Sequence, residues 1–181
     1  MINKGECVMK QLSKTILKTS SLLLVIAFMV FIGCQQQKPD PSQELKPIAD
    51  KLVDAWNGVN IDSLDSIFDP GFVRSVNQEP DVEGVEGFKK GITDFRTAYP
   101  DLKLTIDNEV YSENAIAVRW TVTGTNTGPG EMPPTGKAVK FWGESILHLA
   151  NGKISREIVA YNNQALIEQL GFAMIPPKGS K

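Results

Sequence analysis

The chain has 181 residues, 41% of them hydrophobic and 22% charged, which suits one globular domain with a short appendage. The formal net charge is -2, and because Lys4, Lys10, Lys14 and Lys18 face only Glu6 in the first 34 residues, the remainder holds 15 basic and 20 acidic residues. An acidic domain of this kind argues against a nucleic-acid surface.

Residues 1–34 have the layout of a targeting segment. Lys10, Lys14 and Lys18 lead into the apolar run Leu22 to Ile32, which is too short for a comfortable membrane span and right for a signal-peptide core. The run ends in Phe31-Ile32-Gly33-Cys34, which resembles a bacterial lipobox and implies lipidation of Cys34. That places the chain at the bacterial cell envelope, periplasmic or on the cell surface, held to the membrane by its lipid. Phe at the first box position departs from the usual Leu, so an uncleaved anchor helix and an ordinary secretory signal stay open. Met9 opens a more typical signal than Met1. The only cysteines, Cys7 and Cys34, both lie here, so the domain beyond has neither a disulfide nor a thiol nucleophile. Residues 35–43 are polar and proline-bearing, a tether, and the domain itself is expected over 44–172 with a tail at 173–181.

From Ser42 to Gly58 the apolar residues Leu45, Ile48, Ala49, Leu52, Val53 and Trp56 recur with a helical period. A short second helix is expected from Asp62 to Phe68, closed by a turn at Asp69-Pro70-Gly71, then an extended piece to Val76 and an irregular stretch to Glu83. A third helix carries Val85, Phe88, Ile92 and Phe95 on one stripe and stops before Pro100. Thereafter the period falls to about two. Leu102–Tyr111, Ala115–Gly124, Val139–Leu149 and Ile154–Asn162 are predicted strands, and Leu166–Phe172 a closing helical turn. Helices first and a curled, mainly antiparallel sheet afterwards make an α+β plan.

On that plan sit the strings DPGFV (69–73), GVEGFKK (84–90), FRTAYPDL (95–102), VRWTVTGT (118–125), PPTGK (133–137), NGKI (151–154) and QLG (169–171). In this order they resemble the SnoaL-like polyketide cyclases of the NTF2-like superfamily. The resemblance implies a cone in which N-terminal helices pack on a curved sheet around an apolar cavity, often in a dimer; two half-apolar strand faces fit a sheet with helices on one side and a partner subunit on its outer face. It also implies intramolecular aldol chemistry without a cofactor, with proton transfer by an aspartate near a histidine. Counted back from QLG, the aspartate's place falls on Asn162, and the histidine's on His148, the only histidine of the chain. An amide cannot take and return a proton near neutral pH, so the simplest transfer of mechanism fails at Asn162. Many relatives also carry His where this chain has Asn126.

Whether His148 and Asn162 share a pocket depends on the turn at Asn151-Gly152. A two-residue loop sets even residues of one strand beside odd residues of the next and turns the two apart; a three-residue loop with a bulge sets even beside even. The family likeness favours the second register. Glu144 is then the carboxylate placed to replace the aspartate as general acid or base, unless Arg156 neutralises it; His148 relays a proton or polarises a carbonyl; Asn162 holds an oxygen. Trp120, Trp142, Tyr99, Phe72 and Ile158 are the candidate apolar wall, and Met132-Pro133-Pro134 a lip or a stiff crossover. The expected ligand is a small apolar carbonyl compound, turned over or merely bound. One histidine and no thiol make a zinc or copper site improbable, and P-loop, dinucleotide and GxSxG strings are absent.

Overall fold

The computed structural model describes residues 39–173. The expected targeting segment with Cys7, Cys34 and the lipobox-like string, most of the expected tether and the end of the expected tail lie outside them. Among the described residues no helix is long and apolar enough to cross a membrane.

Helix α1 (Pro41–Trp56) starts three residues inside the expected tether, because the Asp40 side chain caps it by accepting from the Ser42 amide at 3.0 Å and Pro41 presets its first turn. Its stripe Leu45, Ala49, Leu52 and Ala55 is buried. A 3-10 turn (Ile61–Ser63) leads into the single turn α2 (Leu64–Ile67). The expected break at Asp69-Pro70-Gly71 is instead an irregularity within strand β1 (Phe68–Val76), where the Asp69 carboxylate accepts from the Gly71 amide at 2.8 Å. A two-residue strand β2 (Val82–Glu83) follows, then α3 (Gly84–Ala98), which buries Phe88 and Ile92. Four long strands complete the sheet: β3 (Lys103–Ser112), β4 (Ala115–Thr125), β5 (Ala138–Ala150) and β6 (Lys153–Tyr161). The short α4 (Asn163–Gln169) closes the domain.

The sheet is curved and unclosed, in the order β2-β1-β6-β5-β4-β3, with only β1 and β6 parallel. Bulges in β1, β3 and β6 supply local bends, as one extra residue on one strand of a pair does. The concave face packs on α1 and α3. Phe68, Phe72 and Phe88 meet there with ring centroids 4.2 to 5.6 Å apart, which makes Phe72 a fully buried core residue and not part of a ligand wall.

The β5–β6 hairpin combines features of both registers that the sequence left open. Asn151 (φ 52°) and Gly152 (φ 74°) form a two-residue turn with Ala150 opposite Lys153. One step on, the register shifts: Leu149 faces Ile154 but His148 faces Arg156, so Ser155 is an extra residue whose hydroxyl donates to the His148 carbonyl at 3.2 Å. Even then faces even, as expected, but for a bulge in the strand and not in the loop.

Candidate active-site cavity

The even face shared by Trp142, Glu144, Ile146, His148, Arg156 and Ile158 is the outside of the sheet. Each of these residues is exposed, Trp142 half so at 50%, while Phe141, Gly143, Ser145 and Leu147 point inward. Strand β4 shows why. Its alternation of buried Ile116, Val118, Trp120 and Val122 with outward Arg119, Thr121 and Thr123 is unambiguous, and antiparallel pairing sets Trp120 opposite Gly143 and Val122 opposite Phe141. The odd residues of β5 therefore belong to the concave face.

This overturns the expected site as a constellation inside the cavity. Glu144 lies opposite Arg119 and Ala160 on the outer face, and it forms no ion pair with Arg156. Arg156 instead donates to the Ser75 hydroxyl at 2.7 Å and lies 3.8 Å from Asp81. His148 is exposed near the hairpin end, and Ile158 is exposed beside it. Trp142 lies outside with the Arg119 guanidinium 4.3 Å from its ring centre. Asn162 is exposed at the end of β6, where its side-chain oxygen accepts from the Ala165 amide at 3.0 Å and caps α4. An aspartate at this place would cap equally well. Of the expected wall, Trp120 and Tyr99 do line the cavity.

The cavity has a volume of about 660 Å³ and lies between the concave sheet face, α1, α3, α4 and the crossover between β4 and β5. The crossover forms part of its edge, with Met132 at the lining. Asn126 anchors this segment: 1% exposed, its side-chain oxygen accepts from the amide and the hydroxyl of Thr135 at 2.8 and 3.0 Å.

Most of the lining is apolar and aromatic, so the few polar groups set its chemistry. Glu157 is 3% exposed and accepts from the Arg74 guanidinium at 2.8 Å through Oε2. Arg74 is itself held over the rings of Trp56 and Phe88 at 5.7 and 5.2 Å. A buried carboxylate needs such a partner, since an isolated charge there would be strongly disfavoured. Oε1 accepts no hydrogen bond from any described residue. Ser145 accepts from the indole N–H of Trp120 at 3.0 Å, both side chains being buried. Tyr161 lies opposite Gly143, and burial, with the Glu79 charge adding to it, pushes its phenol above the ordinary value. Burial raises Tyr99 likewise. Both phenols therefore stay neutral O–H donors at physiological pH.

Gly143 makes the room for this arrangement. A Cβ there would lie 2.4 Å from the Trp120 ring and 2.8 Å from the Ala160 carbonyl oxygen. Only the missing side chain lets the indole lie across β5 and reach Ser145. Among the described residues no group of three or more His, Cys, Asp and Glu side chains is placed to hold a metal ion.

The sequence profile of SnoaL-like polyketide cyclases matches residues 46–170, the whole span from α1 to the last turn of α4. The chain belongs to this family. Solved structures agree on the fold. A protein from Jannaschia sp. CCS1, provisionally named a SnoaL-like polyketide cyclase, superposes with a TM-score of 0.68 at 20% identity, covering 77% of this chain and 99% of its own. One from Bacillus cereus ATCC 10987, provisionally named a polyketide cyclase, gives 0.60 at 23% identity over 71% and 80%. AclR of Streptomyces galilaeus, provisionally named a hydroxylase, gives 0.64 at 24% identity over 76% and 87%. At these identities the likeness speaks for the fold alone. No curated protein matches the chain in sequence.

Sequence reasoning missed Arg74, Glu157 and Ser145. A charged residue flanked by Ile154 and Ile158 looks outward by simple alternation, and only the bulge at Ser155 turns Glu157 inward. The usable signal was the clean parity of β4 beside a glycine in β5.

Proposed function

We propose that this SnoaL-like domain is a cofactor-free proton-transfer catalyst of the cyclase or isomerase type, acting on a small apolar carbonyl compound. The observation that carries the proposal is one buried carboxylate, Glu157, set in an aromatic cavity with one oxygen fixed by Arg74 and the other free. Glu157 Oε1 takes a proton from the carbon beside a carbonyl. The resulting enolate carbon attacks a second carbonyl carbon of the same molecule, and the alkoxide so formed recovers the proton from Glu157. Nothing is gained or lost overall, as an intramolecular aldol closure requires. Neutral phenols and the Arg74 guanidinium supply stabilisation of the oxyanion in a site with little water.

Proton transfer is measured without knowing the substrate by following deuterium uptake from D2O into the methyl group of 2-acetylnaphthalene. The wild-type domain accelerates exchange, and Glu157→Gln lowers the rate by about a hundredfold or more. Glu144→Gln and His148→Ala leave it unchanged. A Glu157→Gln domain that is folded and fully active ends the assignment.

The Arg74–Glu157 pair itself favours a second reading, because a satisfied carboxylate is a weaker base. In that reading the cavity holds an apolar ligand at the cell envelope without chemistry. Binding of 2-acetylnaphthalene with no exchange above the buffer rate selects it. In either reading a lipid on Cys34 holds the domain to the membrane, and a second copy covers Trp142, Ile146 and Ile158 on the outer sheet face. Loss of palmitate labelling in Cys34→Ser, and a shift from dimer to monomer mass in Trp142→Glu, are the expected results.

A further inference from the structure

The polar groups of the cavity differ in what they offer a ligand, and one pair fixes its own polarity. The indole N–H of Trp120 has a proton to give and no lone pair to receive one. At 3.0 Å from Ser145 Oγ it is therefore the donor and the hydroxyl the acceptor. The hydroxyl keeps its own proton, and Ser145 Oγ donates to no described residue. Ser145 is only 4% exposed and lies on the cavity lining, in the middle of β5. A ligand atom that accepts a hydrogen bond uses the proton that the hydroxyl still has to give.

Building on the carbonyl-directed function proposed above, we infer that the Ser145 hydroxyl is the subsite for the ligand's carbonyl oxygen, and that Trp120 is a positioning residue that aims its proton into the cavity. The hydroxyl of a serine rotates freely when alone; here the indole claims one of its two lone pairs and so turns the O–H away from the ring. Gly143 is part of the same device, since a side chain there would displace the ring that carries the N–H. The Tyr161 residue lines the same cavity two cross-strand pairs away, opposite Gly143, and its phenol is the competing donor to be separated from Ser145.

The test uses a ketone and its hydrocarbon counterpart, 2-acetylnaphthalene and 2-ethylnaphthalene, with binding followed by quenching of tryptophan fluorescence. The wild-type domain is expected to prefer the ketone by about tenfold, the value of one well-made hydrogen bond. The infrared carbonyl stretch of the bound ketone lies below that of the same ketone in hexane. In Ser145→Ala the preference falls to about one and the stretch returns toward the hexane value, whereas Tyr161→Phe keeps most of both. Trp120→Phe, which frees the second lone pair and the rotation of the hydroxyl, lowers the ketone preference and raises the affinity of the donor-only probe 2-methylindole relative to 2-ethylnaphthalene. A structural role for Trp120 alone would weaken all three probes alike. Equal affinity of ketone and hydrocarbon for the wild type overturns the inference while leaving the cavity reading intact. A preference kept in Ser145→Ala and lost in Tyr161→Phe transfers the subsite to Tyr161 and also overturns it. Binding of neither compound removes the cavity reading and this subsite with it.

Discussion

The two faces of the β5–β6 hairpin carry residues of the same chemical kinds and use them in opposite ways. Outside, Glu144, His148 and Arg156 are exposed beside Trp142, Ile146 and Ile158, so their charges are solvated and their apolar neighbours unfilled. Inside, Glu157, Ser145 and Tyr161 line an aromatic cavity, Glu157 paired with Arg74 and Ser145 with Trp120. A carboxylate outside is one of many on an acidic surface; a carboxylate inside is expensive to keep and so shapes everything near it. Residue type alone does not make a site; desolvation does.

The largest effect that sharpens this contrast is expected at the buried pair. Arg74→Met leaves Glu157 enclosed without its partner and should cost about 3–5 kcal/mol of stability in urea unfolding. The double variant Arg74→Met with Glu157→Leu recovers most of it, because two apolar side chains need no compensation. Were Arg74→Met as stable as the wild type, the inner face would be as wet as the outer one.

Gly143→Ala comes next. Its methyl group meets the Trp120 ring and the Ala160 carbonyl, so the indole must move, at about 1–3 kcal/mol, with a shift of the tryptophan emission toward that of an exposed ring. Substituting the outward neighbour Trp142 by Phe leaves the emission of Trp120 where it was.

Asn162 tests the boundary between the faces. Asn162→Ala removes the cap of α4 and costs about 1 kcal/mol, whereas Asn162→Asp keeps full stability at neutral pH. Equal stability of Asn162→Ala and the wild type would show that the amide has another use. The smallest effects belong to Glu144→Gln and His148→Ala, each within about 0.5 kcal/mol of the wild type and without influence on binding of 2-acetylnaphthalene. A tenfold loss of binding in either would bring the outer face back into the site.

Much of the architecture was legible from periodicity. The stripe of α1, the stripe of α3 and the alternation of β3 to β6 each reflect burial against one partner, and short-range pattern suffices for that. A cavity was expected from the family resemblance, and of the five expected wall residues only Trp120 and Tyr99 line it; its chemistry was not legible. Glu144 and His148 stand in a strand whose two faces are both half apolar, so their pattern has no preferred sign. Glu157 sits behind a bulge that reverses the parity the sequence suggests.

The amino-acid order by itself determined the stripes of α1 and α3, the four long strands and where the turn at Asn151-Gly152 falls, because those depend on neighbours within a few residues. Which side of β5 faces the hollow was decided only in three dimensions, by its pairing with β4 across a long crossover, and which side of β6 does so by one extra residue at Ser155. Side chains alternate with a period of two, so a single-residue shift exchanges every inward group for an outward one, and no local pattern records it.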